Sequence, residues 1–298
     1  GDCGYAMEAR LYITTGMVDR KDEDIMLETA MCKVICSEYG FRCTNEAMQI
    51  MGGEGYMTEN ELERLWRDSR INPIVEGANE VMHSFIFAYG SKQLGEYMLG
   101  VKAAPLKNIG AAIKIALELF LGVRRAAPKI TNLDPSLKVH TRLLSNLIRE
   151  FGHQVKMMFK EKGEKLITNQ TTQCRLSWIS IWIHAIGCSL SKLDRNIRNG
   201  VDKKQLDYDR AMVNYIVEYG TGKINGWFRA LRENSDDTML LAAQKAWEFG
   251  ESLPASDYYI PEKTPDLDVR GAGKVCNQEY IKQFGEGSMY LQEETASH

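Results

Sequence analysis

Seven prolines stand at positions 73, 105, 128, 135, 254, 261 and 265, and their absence elsewhere limits the fold more than any other feature. Proline lacks an amide hydrogen and clashes with the preceding turn, so helix interiors rarely accept it. The long proline-free stretches carry apolar residues three and four apart, with strong helix formers between them. This spacing predicts helices over 5–18, 25–52, 78–100, 109–126, 136–162, 170–199, 206–231 and 238–252. Two starts are also marked: Asp134 before Pro135 reads as cap and first-turn residue, and Thr58 with Glu61 fits a capping box. No hairpin signal is flanked by alternating strands, so the expected fold class is all-α.

The chain has 298 residues, 44% hydrophobic and 26% charged, which excludes collagen-like, disordered and polytopic membrane classes. Thirty-seven Lys and Arg against 40 Asp and Glu give a net charge of -3, which argues against a dedicated nucleic-acid binder. Gly100 to Pro105 interrupts two helical patterns and sets an expected boundary, with one segment over 1–100 and a second helical domain over 101–298. From about residue 254 the pattern predicts an irregular tail with one helix at 277–285. No basic-then-apolar leader opens the chain, and its start at Gly1 reads as that of a piece of something longer.

The seven cysteines (Cys3, Cys32, Cys36, Cys43, Cys174, Cys188, Cys276) lack the spacing of a disulfide framework and point to a reducing compartment. Cys32 and Cys36 would share a helix face, as a metal pair or as buried thiols; with no His near them in sequence, buried thiols are expected and no metal site is assigned. The uncharged run Leu176–Ser191 is 16 residues long, too short for a membrane span. Trp178, Ile179, Ile181, Trp182, Ile183 and Ile186 assign it to the core, with His184 as a hydrogen-bonded core histidine.

Two glycine-containing segments carry the chemistry. Gln49-Ile50-Met51-Gly52-Gly53-Glu54-Gly55-Tyr56 ends a long helix, where glycine serves as a left-handed cap or lets backbone approach a ligand closely. Asn72-Pro73-Ile74-Val75-Glu76-Gly77-Ala78-Asn79-Glu80 runs into the helix that starts near residue 78. Pro73 biases Asn72 toward extended backbone and leaves Glu76 and Gly77 at a helix mouth, where free N–H groups attract an anion or a developing oxyanion. From the residues alone, Glu76 either complements the helix dipole or acts as a base.

These two segments, with Glu63-Arg64-Leu65-Trp66-Arg67-Asp68 between them, resemble the C-terminal catalytic signature of acyl-CoA dehydrogenases in order, spacing and character. Tyr5-Ala6-Met7-Glu8-Ala9 is similar to the preceding helix of the very-long-chain branch, and Leu190 to Arg198 looks like part of that branch's helical extension. The resemblance implies that residues 1–100 are the end of the catalytic helical bundle and 101–298 the extension. It also implies FAD-dependent α,β-dehydrogenation of a fatty acyl-CoA in β-oxidation, with electrons passed to an electron-transfer flavoprotein.

By the same resemblance Glu76 is the general base and Gly77 contacts substrate. Gln49, Ile50, Met51, Gly52 and Gly53 reach the FAD of a partner subunit in a homodimer, and Ala78, Asn79 and Glu80 lie by the cofactor. The family commonly has Thr where Ala78 stands and Arg where His83 stands; His83 is expected to be a half-buried helix residue. The family's N-terminal helical and central β domains are not in this sequence, so the fragment alone is expected to be inactive. The implied setting is the mitochondrial matrix or inner-membrane face in a eukaryote, and the cytoplasm in a bacterium.

Between residues 101 and 129 six Lys or Arg face Glu118 alone, with Lys107, Lys114, Glu118 and Arg125 along one helical stripe. Two readings stand for 107–126: peripheral contact with an anionic membrane, or a core helix with solvated ends. For the whole chain, the alternative to the enzyme is a non-catalytic helical docking module, like relatives that help to assemble respiratory complexes.

Overall fold

The computed structural model describes residues 2–104 and 108–252. Its α-helices are α1 (Asp2–Asp19), α2 (Met26–Met51), α3 (Gly53–Tyr56), α4 (Glu61–Arg70), α5 (Asn79–Ala103), α6 (Ile109–Phe120), α7 (Lys138–Lys162), α8 (Gln170–Arg198), α9 (Lys203–Ala230) and α10 (Asp236–Ser252). No strand occurs among the described residues. The fold is all-α, as the proline pattern requires. The expected tail and its helix, together with Lys107 and Cys276, lie outside the described residues.

Several helix ends follow from local chemistry. Asp134 caps the 3-10 turn Pro135–Leu137 that leads into α7, its carboxylate accepting from the Ser136 amide at 2.9 Å. At α4 the cap is Asn60, whose side chain accepts from the Leu62 amide at 3.0 Å, so Thr58 is not the start that the capping-box pattern suggested. The helix expected to continue to 126 stops at Phe120, because Gly122 takes φ +68° and the Val123 amide turns back to the Leu117 carbonyl.

The described residues up to Asn234 form one compact unit, and those from Ser235 belong to another. In the first, α8 packs against α1, α2, α5, α7 and α9, so the Trp-rich run at its middle is the hub of the core. Ile179, Ile181, Trp182 and Ile186 are buried there, and the Trp182 ring meets Tyr39 from α2 and Tyr219 from α9 edge-on at 5.5 and 5.4 Å. The α8 and α9 helices approach so closely that a Cβ on Gly220 would lie 3.0 Å from the Trp182 ring. The second unit holds α10, with a Lys245–Glu248 ion pair at 2.6 Å.

Candidate functional site

The mouth of α5 is a tightly closed loop. Turns run through residues 71–74, where the sequence suggested extended backbone at Asn72, and the Ile74 and Val75 amides both donate to the Ile71 carbonyl. Glu76 and Gly77 follow with φ +56° and +91°. Two successive positive φ angles reverse the chain and bring the Asn79 amide to the Pro73 carbonyl at 2.9 Å. For an L-residue such as Glu76 this conformation costs about 1–2 kcal/mol. At Gly77 the φ itself demands glycine.

Hydrogen bonds from α2 hold that strained loop in place. The Lys33 ammonium donates to the Gly77 carbonyl and to Asn79 Oδ1, each at 2.7 Å. The Asn79 amide group donates to Ser37 Oγ at 2.9 Å and Glu38 Oε1 at 2.8 Å. Asn79 is therefore buried, with both ends of its side chain engaged inside the chain. Partial burial lowers the Lys33 pKa, against the raising fields of Glu38, Glu80 and Glu76. Lys33 and Ser37 were missed in the sequence, since nothing local ties them to a motif more than forty residues away.

Glu76, Gly77 and Glu80 are exposed and Ala78 is half-buried. Among the described residues the amides of Glu76, Gly77 and Ala78 donate to no carbonyl or side chain, and Ala78, at the N-cap of α5, offers no side-chain cap. The loop thus presents a carboxylate beside three unused N–H groups, a combination suited to removing a proton while stabilising charge on an adjacent oxygen. His83, one turn further on, is buried rather than half-buried: its Nδ1 lies 2.9 Å from Ser177 Oγ, and its ring packs 4.9 Å from that of Trp178. Burial lowers its pKa to about 4.

Gln49 to Gly53 lie at the C-terminal end of α2, whereas the loop is held at its middle. Glu38, which pairs with Asn79, and Gln49 are separated by 11 residues, about 16 Å along the axis at 1.5 Å per residue, so the two glycine segments are spaced along one helix. All five residues are exposed, Ile50 to 85%. Gly52 ends α2 at φ 59°, ψ -141°, a glycine-only region distinct from the expected left-handed cap. Gly55 is required by packing, since a Cβ there would meet the Met48 carbonyl at 3.0 Å. Gly53 has neither constraint, with nothing within 4 Å of its would-be Cβ. Its backbone is open to an outside group.

Of the charge stripe read from sequence, Glu118 on α6 turns inward while Lys114 stays exposed. Glu118 is buried against α7, accepting from Lys156 at 2.7 and 2.8 Å and from Arg125 at 2.9 Å. Burial pushes its carboxyl up, and Lys156 and Arg125 outweigh that, leaving it below its ordinary value. Arg124 pairs with Glu150 at 3.1 Å. Outward instead stand Ile109, Ile113, Phe120, Leu121 and Val123, each more than half exposed. No helix among the described residues is long and apolar enough to cross a membrane.

Residues 5–89 match the family model "Acyl-CoA dehydrogenase, C-terminal domain". This segment is similar to the C-terminal domain of that family. The mouse very long-chain specific acyl-CoA dehydrogenase is 28% identical over 207 residues, 67% of this chain and 32% of that protein. The pig short-chain specific acyl-CoA dehydrogenase is 38% identical over 88 residues, 28% of this chain and 21% of the relative. The chain spans about a third of the length of the very-long-chain relatives that it matches. An acyl-CoA dehydrogenase from Bacillus anthracis, solved in complex with FAD, shares the fold with a TM-score of 0.59 at 21% identity, over 81% of this chain and 43% of that one. The acyl-CoA dehydrogenase match contains both glycine segments, the α5 mouth and Lys33.

Proposed function

We propose that this chain is the C-terminal part of an FAD-dependent acyl-CoA dehydrogenase of the long- or very-long-chain kind, which carries out α,β-dehydrogenation of fatty acyl-CoA in β-oxidation. The observation that carries this reading is the Glu76 loop: a strained, exposed carboxylate beside unused amides, fixed by Lys33 from a neighbouring helix. Strain is retained where surrounding contacts over-determine it, and it concentrates at functional sites. In this reading Glu76 removes the α-proton of the thioester, the free N–H groups stabilise charge on the thioester oxygen, and Gly77 contacts the substrate through its backbone. FAD supplies the acceptor for the hydride leaving the β-carbon.

The exposed backbone at Gln49–Gly53, unobstructed around Gly53, fits the close approach of a dinucleotide. The roughly 16 Å along α2 between Glu38, which holds Asn79, and Gln49 favours a partner's FAD at Gln49–Gly53 and the chain's own near Ala78 and Glu80, hence a homodimer. Asn79, buried, would serve by holding the loop. The proposed division at about residue 100, into catalytic bundle and extension, falls inside the compact unit that runs to Asn234. Electron-transfer flavoprotein is the proposed acceptor, and the apolar face of α6 the proposed membrane contact. The proposed site of action is the mitochondrial matrix or inner-membrane face in a eukaryote and the cytoplasm in a bacterium.

The test is the flavin spectrum of the full-length protein. Stoichiometric flavin that bleaches anaerobically on addition of palmitoyl-CoA is the expected result. A full-length protein that folds without flavin would overturn the enzyme reading and favour the docking module.

A further inference from the structure

Between α2, α5, α7 and α8 lies a cavity of about 220 Å³, walled by Leu27 from α2, Ile86 and Leu94 from α5, Phe151 and Val155 from α7 and Leu176 from α8. Gly152 of α7 also lines it, and a Cβ there would meet nothing within 4 Å. This glycine differs from Gly220, where a Cβ would lie 3.0 Å from the Trp182 ring: Gly220 lets two helices pack closely, and Gly152 leaves space. Protein interiors hold few voids larger than a water molecule. An apolar cavity of about 150 Å³ stays dry and takes benzene, so this one has room for a somewhat larger molecule. It is smaller than the roughly 300–1,000 Å³ of pockets for drug-sized ligands, which limits the occupant from above.

Three serines contribute to the wall, and two of their hydroxyls are committed. Ser177 Oγ lies 2.9 Å from His83 Nδ1, and Ser180 Oγ donates to the Ser177 carbonyl at 2.8 Å. Ser91 has a relative exposure of 9%, and its hydroxyl makes no hydrogen bond among the described residues. Burying a hydroxyl without a partner costs free energy. An ordered water needs roughly two to four polar partners, more than one free hydroxyl among apolar side chains supplies, and a poorly held water is displaced favourably by an apolar group. No charged side chain lines the cavity, so a carboxylate, phosphate or ammonium would be buried there unpaired.

We propose that this cavity is a binding site for a small uncharged molecule, somewhat larger than benzene, that is apolar over most of its surface and carries one group able to exchange a hydrogen bond with Ser91 Oγ. The apolar walls supply affinity in proportion to the area they remove from water. Ser91 orients the molecule and gives its own hydroxyl a partner. The site stands independently of the role of Glu76.

Toluene and benzyl alcohol, which differ by one hydroxyl, are the probes, and isothermal titration calorimetry of the full-length protein is the measurement. Both should bind the wild type saturably. Gly152→Leu puts a side chain into the space and replaces glycine with a better helix former, so it should keep the thermal midpoint of the wild type or raise it, and abolish binding of both probes. Ser91→Ala should weaken benzyl alcohol roughly two- to tenfold and leave toluene at its wild-type affinity; this comparison decides the matter if Gly152→Leu does not fold. Failure of either probe to bind the wild type, or binding that survives in a folded Gly152→Leu, would overturn the site. Equal affinity of Ser91→Ala and wild type for benzyl alcohol, or an equal loss for both probes, would overturn the hydrogen bond to Ser91.

Discussion

Glu76 adopts a backbone conformation that glutamate avoids, and Lys33 and Asn79 hold it there. The place of Glu76 and Gly77 at a helix mouth was legible in the sequence because Pro73 and the helical pattern after residue 78 mark that mouth. Lys33 and Ser37 were not, since their link to the loop exists only once α2 lies beside α5. His83 shows the same limit, because only packing against Trp178 and Ser177 makes it a fully buried histidine. Its folded pKa of about 4 lies below the ordinary 6.5, so the unfolded chain binds a proton that the folded chain refuses between those values. Stability is therefore full above pH 6.5 and falls as pH drops toward 4, by about 3 kcal/mol for this group. Urea unfolding of His83→Gln should show a correspondingly shallower loss over that window. A slope equal to that of the wild type would remove His83 from the acid response.

Among the elements, helices marked by apolar spacing and a following glycine were readable almost to the residue: α7 and α8 stop before Gly163 and Gly200, each at positive φ. The orientation of α6 was not, because a stripe that mixes Glu118 with Lys and Arg does not say which of them will find a partner inside. Lys156 and Arg125 draw Glu118 inward and leave the apolar side outward. Arg124 and Arg125 are engaged in ion pairs, so reversing their charge would disturb the α6–α7 contact as well as any lipid contact. The discriminating variant is Phe120→Glu with Leu121→Glu, at positions 71% and 72% exposed. Each side chain fully buried in an apolar phase contributes about 1.5–3 kcal/mol, so cosedimentation with vesicles of anionic phospholipid should fall at least about tenfold. Unchanged sedimentation would leave α6 without a membrane role.

At the scale of the whole molecule, one glycine segment sits at the C-terminal end of α2 and the other is held at its middle, and the proposed assembly joins them across two subunits. All-α architecture was legible from proline placement, whereas the packing of α8 against both α1 and α9 depends on contacts across the chain that no local pattern encodes. Gly53→Trp should leave the fold of the chain intact, because nothing lies within 4 Å of the would-be Cβ, yet weaken flavin retention in the full-length dimer. Gel filtration with flavin absorbance checks both at once, and a variant dimer with full flavin would dissociate Gly53 from the cofactor. The most direct measurement is the turnover of full-length Glu76→Gln with palmitoyl-CoA. The variant should keep its flavin and bind substrate but lose the roughly 10²- to 10⁴-fold that a general base supplies. A variant that kept more than about a tenth of wild-type turnover would fall outside that range and contradict the assignment of Glu76 as the base.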